Sequence, residues 1–142
     1  MDARKVADAG TEAFNAHDER RIRELYAPNV TYEAPGGVKA IGADGATEYA
    51  MTWLRAFPDA RITVHNQVAS GDWVAEQFTF QGTHKEPLSG PGGEIPATGR
   101  QLTGRGTQLI RVEGDKVAEF HLYFDQVEVL TQLGLMPEPA TA

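Results

Sequence analysis

VAEFHLYFDQVEVL, residues 117–130, is the stretch that decides how this chain is built. Side chains alternate across a strand, so Glu119, His121, Tyr123 and Asp125 fall on one face and Phe120, Leu122 and Phe124 on the other. The alternation stops at Asp125. Asp125-Gln126-Val127-Glu128 then has the form of a capping box. A short helix is expected from Gln126 to Leu133, with Gly134 as the residue that ends it.

Upstream, the period of two recurs. Leu102–Val112 reads as a long strand, joined to the last one through a Glu113-Gly114-Asp115 turn. Trp73–His84 reads as another, after a Ser70-Gly71-Asp72 turn, and before it Ile62, Val64 and Val68 alternate with Thr63, His65 and Gln67. The first third has helical spacing instead. Val6, Ala9, Ala13, Phe14 and His17 form one stripe. Asp18 is the expected N-cap of a second helix that carries Ile22, Leu25 and Tyr26 and ends at Pro28. A third runs from about Asp44 to Phe57, with Ala46, Tyr49, Ala50, Trp53, Leu54 and Phe57 on its apolar face and Pro58 closing it. A short strand is expected near Val30–Glu33. Segment 85–99 holds Pro87, Pro91, Pro96 and four glycines and is expected to be a long hairpin loop or a lid. Helices first and an antiparallel meander afterwards give an α+β fold, not repeated βαβ units.

The 142 residues fit one domain, expected over 1–137, with 138–142 as a disordered tail. Twenty acidic against 13 basic residues leave a net charge of −7, which disfavours nucleic acid and anionic membrane as partners. The absence of cysteine excludes disulfides, thiolate metal sites and a cysteine nucleophile, and fits a cytoplasmic location. The N-terminal stretch lacks the apolar core of a signal peptide, and no segment approaches the roughly 20 apolar residues of a membrane span. His17, His65, His84 and His121 show no metal-ligand spacing, so no metal is expected. There is no GxSxG elbow and no P-loop. Gly104-Arg105-Gly106 lies within a strand and not between a strand and a helix, so no dinucleotide cofactor is expected either.

The polar row on the last strand admits two readings. It is the solvated face of a half-buried strand, with the phenylalanine row as core. Or it faces a cavity roofed by the helices, and the phenylalanine row lies outside, covered by a second subunit. Asp125 is explained equally well by capping alone. His84, on the same parity as Val74, Phe78 and Phe80, reads first as a hydrogen-bonded structural histidine.

Six stretches in this order carry a resemblance: Leu25-Tyr26-Ala27-Pro28-Asn29-Val30, Ala56-Phe57-Pro58-Asp59, Ser70-Gly71-Asp72, Gln81-Gly82-Thr83-His84, Ile95-Pro96-Ala97-Thr98-Gly99-Arg100, and Phe124-Asp125 through Gln132-Leu133-Gly134. The chain resembles the SnoaL-like polyketide cyclases, or ester cyclases, of the nuclear-transport-factor-like superfamily, over Phe14 to Pro137. The resemblance implies a cone-shaped barrel, a strongly curved and mostly antiparallel sheet wrapped around the N-terminal helices, with an interior pocket. It implies homodimers, and it favours the polar row facing inward. It also implies that an aspartate at the position of Asp125 is a general acid/base. The position four before it, often tryptophan in relatives, is His121 here.

The expected chemistry is cofactor-independent intramolecular aldol closure. Asp125 takes a proton from carbon between two carbonyls, the enolate attacks a second carbonyl, and Asp125 returns the proton to the alkoxide. Burial in an apolar pocket would strengthen it as a base. His121, Tyr123 or His84 would donate a hydrogen bond to the enolate oxygen. Tyr32, Trp53, Phe57 and Phe78 would wall a small apolar or polycyclic molecule. The same cone also serves isomerases, hydro-lyases, epoxide hydrolases (whose Asp–Arg–Asp arrangement is not evident here) and non-catalytic binding or accessory proteins.

Overall fold

The helices form where the sequence supplies caps and stripes. Helix α1 (Ala3–Asn15) opens at Asp2, whose carboxylate accepts the Lys5 N–H at 2.9 Å, and buries Val6, Ala7 and Ala13. Helix α2 (Glu19–Leu25) opens at Asp18, which accepts the Arg21 N–H at 3.1 Å. This computed structural model describes residues 2–90 and 92–137, so the expected tail, 138–142, lies outside the described residues. Strands β1 (Tyr26–Ala34) and β2 (Val38–Ile41) precede α3 (Ala43–Ala56). Then come β3 (Arg61–Ser70), β4 (Trp73–Thr83), β5 (Leu88–Gly90), β6 (Gly93–Ile95), β7 (Gln101–Glu113), β8 (Lys116–Phe124) and α4 (Gln126–Gln132).

Six strands make one sheet in the order β2-β1-β8-β7-β4-β3. Among the described residues, neighbours are antiparallel except β1 with β8. The α+β class stands, and the sheet curves around α1, α2 and α3 on one face. The order ends at β2 on one side and β3 on the other, so the cone is open and not a closed barrel. Among the described residues no helix is long and apolar enough to cross a membrane.

Two local expectations change, and a third becomes more specific. Tyr26 belongs to a strand, not to α2, because it pairs with Val117 of β8. Pro28, which has no N–H to give a ladder, lies inside the register shift between Tyr26 and Thr31. Segment 85–99 contains a small hairpin, with Leu88 opposite Ile95 and Leu88 buried in the core. In β3 the register shifts between Val64 and Asn66. That one extra residue reverses the facing of the rest of the strand. Val64 pairs with inward Phe78, but Val68 pairs with Ala75 and stands 66% exposed, while Gln67 pairs with the buried Glu76.

Candidate functional site

The concave side of the sheet is built from the residues of one parity: Phe78 and Phe80 on β4, Leu102, Gln108 and Ile110 on β7, Phe120, Leu122 and Phe124 on β8. With Val6, Phe14, Ile22, Tyr49 and Trp53 from the helices they enclose a cavity of about 130 Å³. Its walls are largely aromatic. Tyr32 stacks on Phe120 with ring centroids 4.6 Å apart and planes at 4°, and Trp53 meets Phe124 edge-on at 5.5 Å. Such walls suit a flat, largely apolar molecule.

Few polar groups reach the cavity. Tyr26, Tyr32 and Tyr49 line it, and burial holds all three phenols above their ordinary range. They therefore remain neutral and able to donate a hydrogen bond well above neutral pH. Gln108 also lines the cavity, and its Nε2 donates to Glu76 Oε1 at 2.9 Å. Glu76 is only 1% exposed, and its Oε2 accepts Gln67 Nε2 at 2.9 Å. Among the described residues no three His, Asp or Glu side chains come together as a metal-holding group.

The inward reading of the polar row is corrected. Phe120, Leu122 and Phe124 line the cavity, so Glu119, His121 and Tyr123 stand on the convex face. There His121 Nε2 lies 3.3 Å from Glu119 Oε1, its Nδ1 lies 4.0 Å from Glu33, and its ring stacks on Trp73 at 6.4 Å. Glu119 also pairs with Arg111, whose hydrogen bond holds the carboxyl below its ordinary range. This is a half-buried polar network on the outer face of the sheet. Tyr123 is 59% exposed beside an open outer groove. The phenylalanine row needs no covering subunit, because it is covered from within.

Asp125 follows the strand as the cap of α4: Oδ1 accepts Val127 N–H at 2.9 Å and Glu128 N–H at 3.2 Å. It is exposed and lines the outer groove, not the cavity, so the expected burial in an apolar pocket is not found. The two spaces share a wall, since Phe78, Phe124 and Arg105 line both.

His84 is fully buried and does not line the cavity. Its Nδ1 accepts the Thr98 N–H at 3.3 Å, which places the proton of the neutral ring on Nε2, and among the described residues no acceptor lies within hydrogen-bond distance there. The ring stacks on Phe57 at 5.2 Å, and burial lowers its proton affinity. Phe57 is fully buried core and does not line the cavity, whereas Tyr32, Trp53 and Phe78 do. Three of the motif stretches thus meet around Phe57: Asp59 accepts Thr83 N–H at 2.7 Å and its hydroxyl at 2.8 Å, and Thr98 and Arg100 bracket His84. They hold the fold together and line neither this cavity nor the outer groove.

Sequence reasoning missed Tyr26 and Tyr49 as cavity groups, and Gln108 and Glu76 altogether. Their signal was parity. Glu76 interrupts the apolar row Val74, Phe78, Phe80, and Gln108 interrupts Leu102, Ile110, Val112.

With this geometry in hand, the sequence profile described as SnoaL-like polyketide cyclase matches residues 4–133. The chain is 28% identical over 128 residues to the aklanonic acid methyl ester cyclase DnrD of Streptomyces peucetius, covering 87% of this chain and 84% of that one. The solved structure of IdmH from Streptomyces antibioticus superposes with a TM-score of 0.78 at 29% identity, over 94% of this chain and 99% of that one. A SnoaL-like protein from Jannaschia sp. CCS1 shares the fold alone, with a TM-score of 0.83 at 20% identity, over 95% and 93% of the two chains.

Proposed function

The chain belongs to the SnoaL-like polyketide cyclase family, and on that premise we propose that it closes a ring in a polyketide-type dicarbonyl molecule held in the interior cavity. One observation carries the reading: the aromatic cavity abuts, across Phe78 and Phe124, the groove in which Asp125 stands. The flat body fills the cavity, and the reacting end reaches the shared wall. Asp125 takes the proton from the carbon between two carbonyls. The enolate carbon bonds to a second carbonyl carbon of the same molecule, and the proton passes from Asp125 to the new alkoxide. Nothing else is consumed. The phenols of Tyr26 and Tyr32 replace the histidines as hydrogen-bond donors to substrate oxygens, because they line the cavity and His84 and His121 do not.

A second reading, a binding protein without turnover, is favoured by the exposure of Asp125 and its use as a cap. Asp125→Asn separates the two. Asparagine caps as well as aspartate but cannot carry the proton. The cyclase reading expects an unchanged melting temperature, retained binding and loss of turnover on a 1,3-dicarbonyl polyketide model compound. A wild-type protein that binds the compound and never converts it establishes the binding protein instead.

For assembly we propose a homodimer through the convex face. Ile41, Val68 and Tyr123 are exposed there on strands of the main sheet, and Trp73 and Leu109 lie among them half-buried.

A further inference from the structure

Gln67, Glu76 and Gln108 lie side by side across β3, β4 and β7, each directly opposite the next. The bulge in β3 puts Gln67 into this row by turning it inward. Its Nε2 donates both to Glu76 Oε2 and to Asp8 Oδ1 on α1, each at 2.9 Å. The other oxygen of Glu76 takes Gln108 Nε2, also at 2.9 Å. No arginine, lysine or histidine hydrogen-bonds to this carboxylate among the described residues, although it is 1% exposed. An unpaired buried carboxylate is costly to hold. A leucine pair would fill the same row without that cost.

What the carboxylate supplies is direction. An amide side chain can turn over and exchange its donor and acceptor ends, but a carboxylate offers acceptors only. Glu76 therefore fixes the NH2 of Gln108 toward itself. Gln108 is 7% exposed and lines the cavity, and among the described residues no hydrogen bond reaches its Oε1. We propose that Gln108, locked by Glu76, presents an acceptor to the cavity and selects ligands that bring a hydroxyl, an enol or a phenol, to that wall. Gln108 is the group that touches the ligand, and Glu76 is a positioning residue. The inference rests on the cavity being the ligand site.

Three flat probes of one shape test it: naphthalene, 2-naphthol and 2-methoxynaphthalene, titrated against the fluorescence of Trp53 or by calorimetry. One neutral hydrogen bond predicts that the wild type binds 2-naphthol roughly three- to tenfold more tightly than the ether. Glu76→Gln frees the Gln108 amide to turn, so the preference falls to about one while naphthalene affinity stays within about twofold. Gln108→Leu also abolishes the preference, and it carries the test if Glu76→Gln does not fold. A merely structural Glu76 would lower the melting temperature and leave the ratio intact. Equal binding of naphthol and ether by the wild type, or an unchanged ratio in both variants, overturns the selection alone. Failure of naphthalene itself to bind overturns the cavity reading together with it.

Discussion

Replacing Gly106 by alanine will destabilise the protein, whereas the same change at Gly104, two residues back on the same face of β7, will be neutral or stabilising. A methyl group at 106 would lie 2.5 Å from Cζ of Phe78, 2.9 Å from Cε1 and 3.1 Å from Cε2. Carbon atoms pack at about 3.5–4.0 Å, so the ring tip must retreat by about 1 Å. Phe78 is buried and forms the wall between cavity and groove, so it has little room to move. Overpacking of this kind costs about 1–3 kcal/mol, offset by about 0.4–1 kcal/mol from the stiffer unfolded chain. At an unfolding entropy of about 0.3 kcal/mol/K for a chain of this length, the overpacking cost sets the melting temperature of Gly106→Ala about 3–10 °C below that of Gly104→Ala, which shares the same offset. At Gly104 the nearest atoms are Leu102 Cδ1 at 3.9 Å and Cγ at 4.0 Å, which is ordinary contact. Thermal unfolding followed by circular dichroism reads both, and naphthalene titration reads whether the displaced ring narrows the cavity. Equal melting temperatures for Gly104→Ala and Gly106→Ala would show that Phe78 does not pack against β7 as described.

The same geometry gives two further outcomes. Because burial lowers the proton affinity of His84, the unfolded chain protonates there first, so stability is complete above the unfolded value of about 6.5 and falls as the pH drops through it. His84→Asn keeps an acceptor for the Thr98 N–H and should flatten the melting-temperature slope between pH 7.5 and 5.5; an equally steep slope in the variant would assign the effect elsewhere. Val68→Glu should convert the proposed homodimer to a monomer in sedimentation velocity without lowering the melting temperature of the monomer, and an unaffected dimer would exclude the convex face.

Much of the fold was legible because its signals are local. The alternation through Phe120, Leu122 and Phe124, the caps at Asp18 and Asp125 and the turn at Gly114 each follow from neighbouring residues. The facing of the last strand was not, because alternation gives two faces without saying which the helices cover. The polar row looked functional since it gathered an imidazole, a phenol and two carboxylates, yet Arg111 and Glu33 turn it into a polar network on the outer face. Val68 and Gln67 were misplaced for a different reason: a single bulge, silent in the sequence, exchanges their faces. Three of the motif stretches lie off the cavity, since Asp59, Thr83, His84 and Thr98 knit the end of α3 to the sheet. Gln132 does the same for α4, exchanging hydrogen bonds with the backbone of Thr103. Glu76 and Gln108 were readable as polar breaks in apolar rows, but only once those rows were known to face inward.

The central claim is that the cavity holds the flat body of the substrate while Asp125 serves its reacting end at the shared wall. A crystal structure of Asp125→Asn with the 1,3-dicarbonyl model compound tests this most directly. The account predicts aromatic density between Trp53, Tyr32 and Phe120, with the carbon between the two carbonyls about 3–3.5 Å from the side chain at 125, the distance reacting atoms need. Density confined to the outer groove, or a compound inside the cavity with its dicarbonyl end turned away from Phe78 and Phe124, would contradict it.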